Sequence, residues 1–259
     1  MESSVNQPDD LGISVRLRTS SAPRVVSLVP SLTEAVAATA PDLLVGATAW
    51  CTHPADLEVE RVGGTKNPDI ERLVTLRPDV VLANEEENRS EDLSALRAAG
   101  VSVWVTKIRT LDEAFRSLDR MLTLACGLPR PTWLDEAEAA WADLAHAVTR
   151  RAFIPIWRRP WMVVGRDTFT GDVLRRLGIE NIYADHPERY PKIPLPELQA
   201  ASADLVVLPD EPYAFAPEDG PEAFPDLRCA LVTGRYLTWY GPSLAAAPNV
   251  LMRQLTPPP

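Results

Sequence analysis

The sequence predicts an α/β fold of two lobes, each built on a mostly parallel sheet and bridged by one long helix. Three observations lead there. Short β-rich runs alternate with helical patterns through the first half, an unbroken helical stripe follows, and the alternation then restarts. Alternation of this kind implies parallel strands joined by crossover helices. A chain of 259 residues is long enough for two such lobes.

The first strand is placed at Arg24–Val29, followed by Pro30 and by Ser31-Leu32-Thr33-Glu34, which reads as a capping box opening a helix. Asn67 and Pro68 are expected as N-cap and first residue of a helix carrying Leu73 and Leu76, with Val80–Ala83 as the next buried strand. A helix from about Ser90 to Gly100, a strand at Val101–Val105 and a helix from Thr110 to Gly127 complete the first lobe. Between Pro131 and Arg150, Trp133, Ala137, Trp141, Leu144 and Val148 recur at spacings of four, four, three and four. That stripe predicts a rod of about 18 residues, or ~27 Å at the usual rise.

Beyond the rod, Trp161–Val164 is expected as a strand, Asp172–Leu177 as a helix closed by Gly178, and Leu205–Leu208 and Ala230–Val232 as further strands. Helices are placed near Pro196 and from about Ser243 to Leu255. The expected boundaries are a flexible tail over 1–22, an N-terminal lobe over 23–130, a bridging helix over 131–150 and a C-terminal lobe over 151–259. A weak repeat links the halves. Glu71 opens a helix eight residues before Asp79, which precedes a strand, and Glu197 opens one seven residues before Asp204, which precedes another.

Composition excludes several functions. With 26 Lys plus Arg against 36 Asp plus Glu, the net charge of −10 argues against a surface built to neutralise nucleic-acid phosphates. No apolar run reaches the roughly 20 residues of a membrane span. Cys51, Cys126 and Cys229 form no C-x-x-C pair and no disulfide framework, which fits a reducing compartment. Residues 1–22 carry Glu2, Asp9 and Asp10 without a continuous apolar stretch, so they do not read as a secretory leader.

Catalytic motifs are equally scarce. Neither the dinucleotide glycine fingerprint nor the phosphate loop occurs. Gly241-Pro242-Ser243-Leu244-Ala245 approaches a nucleophile elbow but ends in Ala, and His53, His146 and His186 all precede it, which is the wrong order for an α/β-hydrolase. Metal donors are available at Cys51, His53 and Glu85 with its neighbours Glu86 and Glu87, although no paired-histidine spacing fixes a site. What remains is a group of rings and cations near predicted strand ends: Trp50, Lys66, Lys107, Arg166, Tyr190, Tyr213, Arg235, Tyr236, Trp239 and Tyr240. Open α/β sheets bind ligands outside the carboxyl ends of their strands, where rings supply contact area and cations pair with anionic groups.

Ser27-Leu28-Val29-Pro30-Ser31-Leu32-Thr33-Glu34, Val62-Gly63-Gly64 and the run from Ile70-Glu71-Arg72-Leu73 to Pro78-Asp79-Val80-Val81 resemble the class III solute-binding proteins of cobalamin and ferric-siderophore ABC importers. These form the helical-backbone metal-receptor superfamily. The resemblance spans about residues 23–255 and implies two Rossmann-like lobes bridged by a long helix, with the ligand in the cleft between them. It implies that Glu71 and Glu197 dock onto arginines of a membrane permease, and that Trp50, Tyr190 and Tyr236 to Tyr240 line the ligand cleft. Lys66 stands where cobalamin binders carry an aromatic residue, which favours an anionic group on the ligand.

The function expected is non-catalytic binding of a bulky metal chelate, either a corrinoid or other tetrapyrrole or a ferric siderophore, with no covalently held cofactor implied. The alternative is a cytosolic protein or enzyme that handles a metal chelate through Cys51, His53 and Glu85 to Glu87 without a permease partner. The polar start leads to an expected cytoplasmic location, with a periplasmic or cell-surface one as the alternative if the start is trimmed.

Overall fold

The computed structural model describes residues 4–18, 22–142, 144 and 148–256. The chain divides into two compact units. Unit 1 comprises Met1–Lys107, Glu113–Asp135 and Tyr240–Pro242; unit 2 comprises Ile108–Asp112, Glu136–Trp239 and Ser243–Pro259.

The first stretch of chain carries β1 (Ser4–Pro8), β2 (Ser14–Arg18), β3 (Val25–Ser27), α1 (Pro30–Ala37), β4 (Leu44–Ala47), β5 (Glu60–Arg61), β6 (Gly63–Gly64) and β7 (Asn67–Pro68). It continues with α2 (Ile70–Thr75), β8 (Val80–Asn84), α3 (Ser90–Ala98), β9 (Val103–Thr106), α4 (Leu111–Arg120) and α5 (Thr132–Ala142). Five parallel strands form the sheet of unit 1 in the order β5-β4-β3-β8-β9. Val80 to Asn84 are buried throughout, as a parallel strand covered on both faces requires. Val26, Leu28, Leu73, Val81, Leu93, Leu96 and Val105 pack together as its core.

Two helix starts differ from expectation. Helix α1 begins at Pro30, whose missing N–H costs nothing in a first turn, and its N-cap Val29 makes no side-chain cap. Ser31 and Glu34 are instead buried within the helix. The N-cap of α2 is Asp69, whose carboxylate accepts the Arg72 N–H at 3.0 Å, while Asn67 and Pro68 form the second strand of a tight antiparallel ribbon with Gly63 and Gly64.

Within the span expected as a flexible tail, residues 4–18 form a folded hairpin. Strands β1 and β2 pair antiparallel, and β2 alternates exposed Ser14, Arg16 and Arg18 with buried Val15 and Leu17. In the turn, the Asp9 carboxylate accepts from the N–H groups of Leu11 and Ile13, at 3.0 and 2.9 Å. Asp10 ties the hairpin down by accepting from the Lys107 N–H at 3.1 Å, the Ser117 hydroxyl and the Arg120 guanidinium, which itself sits 5.5 Å over the Trp104 ring. The hairpin thereby lies against β9, the edge strand of the sheet, an edge that would otherwise offer unpaired backbone groups.

The bridging rod is also shorter than expected. Helix α5 spans 11 residues, about 16 Å at 1.5 Å per residue. Leu144 lies outside any helix and Val148 is 52% exposed. His146, which lies within the expected rod, falls outside the described residues. Arg150 opens a strand whose pairing fixes its place: its N–H and that of Thr149 both reach the Gly178 carbonyl.

Unit 2 contains β10 (Arg150–Phe153), β11 (Pro155–Trp157), β12 (Met162–Val163), α6 (Phe169–Arg176), β13 (Ile179–Asn181), α7 (Leu195–Gln199), β14 (Leu205–Pro209), β15 (Cys229–Val232), α8 (Gly234–Thr238) and α9 (Ala247–Leu255). Its parallel sheet has the order β13-β10-β14-β15. The strand expected at Trp161–Val164 belongs instead to the antiparallel ribbon β11–β12; the sheet strand is β10, at the end of the span expected to be helical. Phe153, Trp161, Val163, Leu198, Val206, Leu208, Phe215 and Phe224 form the core.

The echo between the halves has a physical basis. In unit 1, Arg24 and Asp79 exchange backbone bonds: the Arg24 N–H donates to the Asp79 carboxylate and the Asp79 N–H to the Arg24 carbonyl, both at 2.8 Å. Arg151 and Asp204 repeat both bonds in unit 2, each at 2.7 Å. In each case an aspartate at the head of a strand closes the amino end of a parallel pair.

Replacing Asp10 with Ala leaves three donors without their shared acceptor, and such losses cost about 1–3 kcal/mol. Urea unfolding of the full chain should register a drop of that order in Asp10→Ala, together with faster limited proteolysis inside residues 4–18.

Candidate functional site

Each unit gathers rings and cations at the carboxyl ends of its parallel strands. In unit 1, Trp50 stands on the loop after β4, at 69% exposure. The loop is held from beneath. Arg61 donates to the carbonyls of Thr48, Cys51 and Leu57 at 2.9–3.1 Å, and the buried Cys51 thiol lies 3.0 Å from the Thr33 hydroxyl and 3.2 Å from that of Thr48. Gly64 lets the β6–β7 turn come close: a Cβ there would stand 2.4 Å from the Asn67 carboxamide and 3.6 Å from the Trp50 indole nitrogen.

Lys66 sits in that same turn, exposed, with its ammonium donating to the Glu86 carbonyl. The acidic loop is itself organised by two buried asparagines. Asn84 accepts from the N–H groups of Glu86 and Glu87, at 2.9 and 3.4 Å, while its amide nitrogen reaches the Thr106 carbonyl and hydroxyl. Asn88 accepts from the Asn84 N–H and donates to the Thr65 carbonyl, each at 2.9 Å. The loop after β8 is thus stitched to the turn that carries Lys66.

The metal candidates are not assembled. Cys51 is fully buried among threonine hydroxyls, whereas Glu85 is exposed and His53 makes a 3.3 Å contact with Thr52. Among the described residues no group of three or more His, Cys, Asp or Glu side chains is placed to hold a metal ion. The chelate-handling alternative that relied on Cys51, His53 and Glu85 to Glu87 loses its donor set for this reason.

In unit 2 the β11–β12 ribbon extends into the 189–193 segment through backbone bonds from Val163 to the Pro191 carbonyl and from Gly165 to the Arg189 carbonyl, at 3.0 and 2.7 Å. That approach depends on Gly165, because a Cβ there would lie 2.2 Å from the Glu188 carbonyl oxygen. Asn181, buried at the end of β13, donates to the carbonyls of Val164 and Gly165 and accepts from the Tyr183 N–H, at 2.9–3.2 Å. The result is a half-exposed Tyr190 with the Arg189 guanidinium 5.7 Å over its ring. Arg166 is exposed and 3.7 Å from Asp167, a distance at which a surface ion pair contributes little. Arg189 donates to the Asp167 carbonyl at 2.6 and 2.9 Å, which fixes the loop that carries Arg166.

Tyr213 is half-buried and its hydroxyl donates to Asp219 at 2.6 Å. That bond holds the Asp219 carboxyl below its ordinary range, helped by the Arg158 guanidinium, and pushes the Tyr213 hydroxyl up. A depressed carboxyl stabilises the fold above the unfolded group's pKa, and the contribution is lost as pH falls through the lower, folded value. Tyr236 is half-buried with Arg235 5.7 Å over its ring. Trp239 and Tyr240 depart from expectation: at 9% and 7% exposure they belong to the packed interior and offer a ligand almost no surface. Leu237 and Leu244 in the same stretch of chain are also buried. Glu71 and Glu197 are both exposed in the first turns of α2 and α7.

Sequence reasoning overlooked Asn84, Asn88, Asn181 and the exposed Trp157. The signal for Asn84 was present: it ends an apolar strand at a position where a buried polar side chain must serve the loop that follows.

Known proteins resemble this chain along most of its length. The vitamin B12-binding protein of Pectobacterium carotovorum subsp. carotovorum (strain PC1) is 26% identical over 253 residues, covering 90% of this chain and 88% of that protein. The periplasmic vitamin B12 binding protein BtuF of Vibrio cholerae superposes with a TM-score of 0.74 at 20% identity, over 89% of this chain and 95% of that one. The periplasmic heme-binding protein RhuT from Roseiflexus sp. RS-1 also gives 0.74, at 23% identity, over 89% and 97%. The expected cytoplasmic location is corrected by these findings, since relatives and family model alike are periplasmic. Asp9 and Asp10, part of the polarity read as a missing leader, hold the turn of a folded hairpin and anchor it. With residues 25–218 matching its model, the chain belongs to the periplasmic binding protein family.

Proposed function

We propose that this protein is a non-catalytic receptor for a bulky metal chelate, serving an ABC importer. The observation that carries the reading is the family match together with relatives named for vitamin B12 and heme. It is supported by rings that follow the ends of parallel strands: the exposed Trp50 in unit 1 and the half-buried Tyr190, Tyr213 and Tyr236 in unit 2. A large conjugated chelate suits such rings, because flat faces bury much area while freezing few rotamers.

The cations narrow the ligand. Lys66, Arg166 and Arg235 would pair with carboxylate groups at the ligand's rim, and Lys66 stands on the turn held closest to Trp50. This favours a chelate with anionic side groups, such as a haem-like tetrapyrrole or an anionic ferric siderophore. The ligand is cargo, and its metal would arrive already held by the chelate.

The exposed carboxylates Glu71 and Glu197 are the parts of this reading that face a membrane partner. They sit at matching places in the two halves, each in the first turn of a short helix, where a carboxylate is favoured by the helix N-terminus but remains available to an arginine.

Titration with haemin, hydroxocobalamin and a ferric siderophore, followed by the visible absorbance of the chelate, should show saturable binding of at least one. No saturation by any of the three would overturn the reading. Trp50→Ala should weaken the bound chelate by ten-fold or more, a loss of about 1.4 kcal/mol or greater. Lys66→Gln should weaken haemin, and raising the salt concentration should narrow the gap to wild type. The double variant Glu71→Arg, Glu197→Arg should keep wild-type chelate affinity yet fail to support chelate uptake in host cells lacking the native protein; unimpaired uptake would remove the docking role.

A further inference from the structure

Trp157 is 44% exposed, although it sits on one of the most firmly supported pieces of unit 2. Its edge meets the Tyr213 ring at 5.7 Å, Tyr213 leans on Phe215 at 4.7 Å, and Phe215 stacks on Trp161 at 6.0 Å and 7°. The next residue, Arg158, is largely buried and pairs with both Asp219 and Glu222 while lying 5.3 Å over the Trp161 ring. Asp219 also accepts the Tyr213 hydroxyl, so the same carboxylate fixes the side chain beside Trp157 and the ring beneath it.

Keeping part of a large ring in water forgoes burial energy that a fully packed ring would contribute. A preorganised, half-exposed tryptophan backed by a tyrosine and an arginine is the usual composition of a binding hot spot.

The strand register supplies the rest of the surface. Trp157 pairs with Met162, and Met162 bridges to Lys192. The register shifts between Pro155 and Trp157, so that the Pro155–Val163 pair is buried while Trp157 and Lys192 are exposed and Met162 partly so; an indole, a thioether and an ammonium therefore stand in one row on the outer side of the ribbon. The row lies at the carboxyl ends of β10 and β14, on the ribbon extension that also carries Tyr190.

We propose that the Trp157–Met162–Lys192 row is a further contact surface for the chelate: Trp157 and Met162 take the flat conjugated face and Lys192 takes an anionic group at its rim. This rests on the chelate-binding function proposed above. The Arg158–Asp219–Tyr213 network positions Trp157 and does not itself touch the ligand.

Equilibrium titration with haemin, and separately with hydroxocobalamin, tests it on the full chain. Trp157→Ala should lower affinity for whichever probe binds by about ten-fold, and Trp157→Phe should retain most of it. Lys192→Gln should weaken haemin several-fold at low salt and much less at high salt. Thermal melting of Trp157→Ala should stay close to wild type, because the ring is half in solvent. If wild type binds a probe and Trp157→Ala binds it within two-fold, this surface is overturned while the chelate function stands. If wild type binds neither probe nor a ferric siderophore, both fall together.

Discussion

Buried amide side chains that finish the parallel strands hold the loops that carry Lys66 and Tyr190. A strand that ends in a turn leaves backbone N–H and carbonyl groups facing the interior, and each one left unmet costs about as much as a lost hydrogen bond. Asn84 serves the N–H groups of Glu86 and Glu87, and Asn181 serves the carbonyls of Val164 and Gly165. With those groups met inside the protein, the loops hold one shape. Lys66 and Tyr190 inherit it, the first through Asn88 and the Thr65 carbonyl, the second through the close approach at Gly165.

Rigidity beneath and exposure above are therefore linked. Trp50 rises from a loop clamped by Arg61, and Trp157 from a ribbon backed by Arg158. In both places an arginine spends its donors on carbonyls or carboxylates below the ring rather than on solvent. A receptor built this way orders few side chains on binding, which leaves more of the contact energy available as affinity. Cys51 is a buried support for the Trp50 loop.

The two halves were legible as a repeat because local chemistry repeats. The pairs Arg24–Asp79 and Arg151–Asp204 are written in the sequence as an aspartate just before an apolar strand. The hairpin was legible in principle too, since Val15 and Leu17 alternate with charged residues, but a run that short is easily read as a polar tail. Helix α5 was overextended because Leu144 and Val148 happen to continue its spacing, although Val148 points largely to solvent. Trp239 and Tyr240 show the same limit for the site: their residue types fit a ligand surface, and only burial places them in the interior.

The amino-acid sequence by itself determined the α/β class, the parallel sheets and most helix positions, because apolar periodicity and strand-ending residues act over a few positions. It also identified the rings and cations from which a site is made. The tertiary structure alone decided which of them reach solvent, that Cys51, His53 and Glu85 do not converge, and that Trp157, Met162 and Lys192 stand in one row. Those outcomes depend on strand register and on contacts between residues tens of positions apart, such as Arg158 with Asp219, which no local pattern encodes.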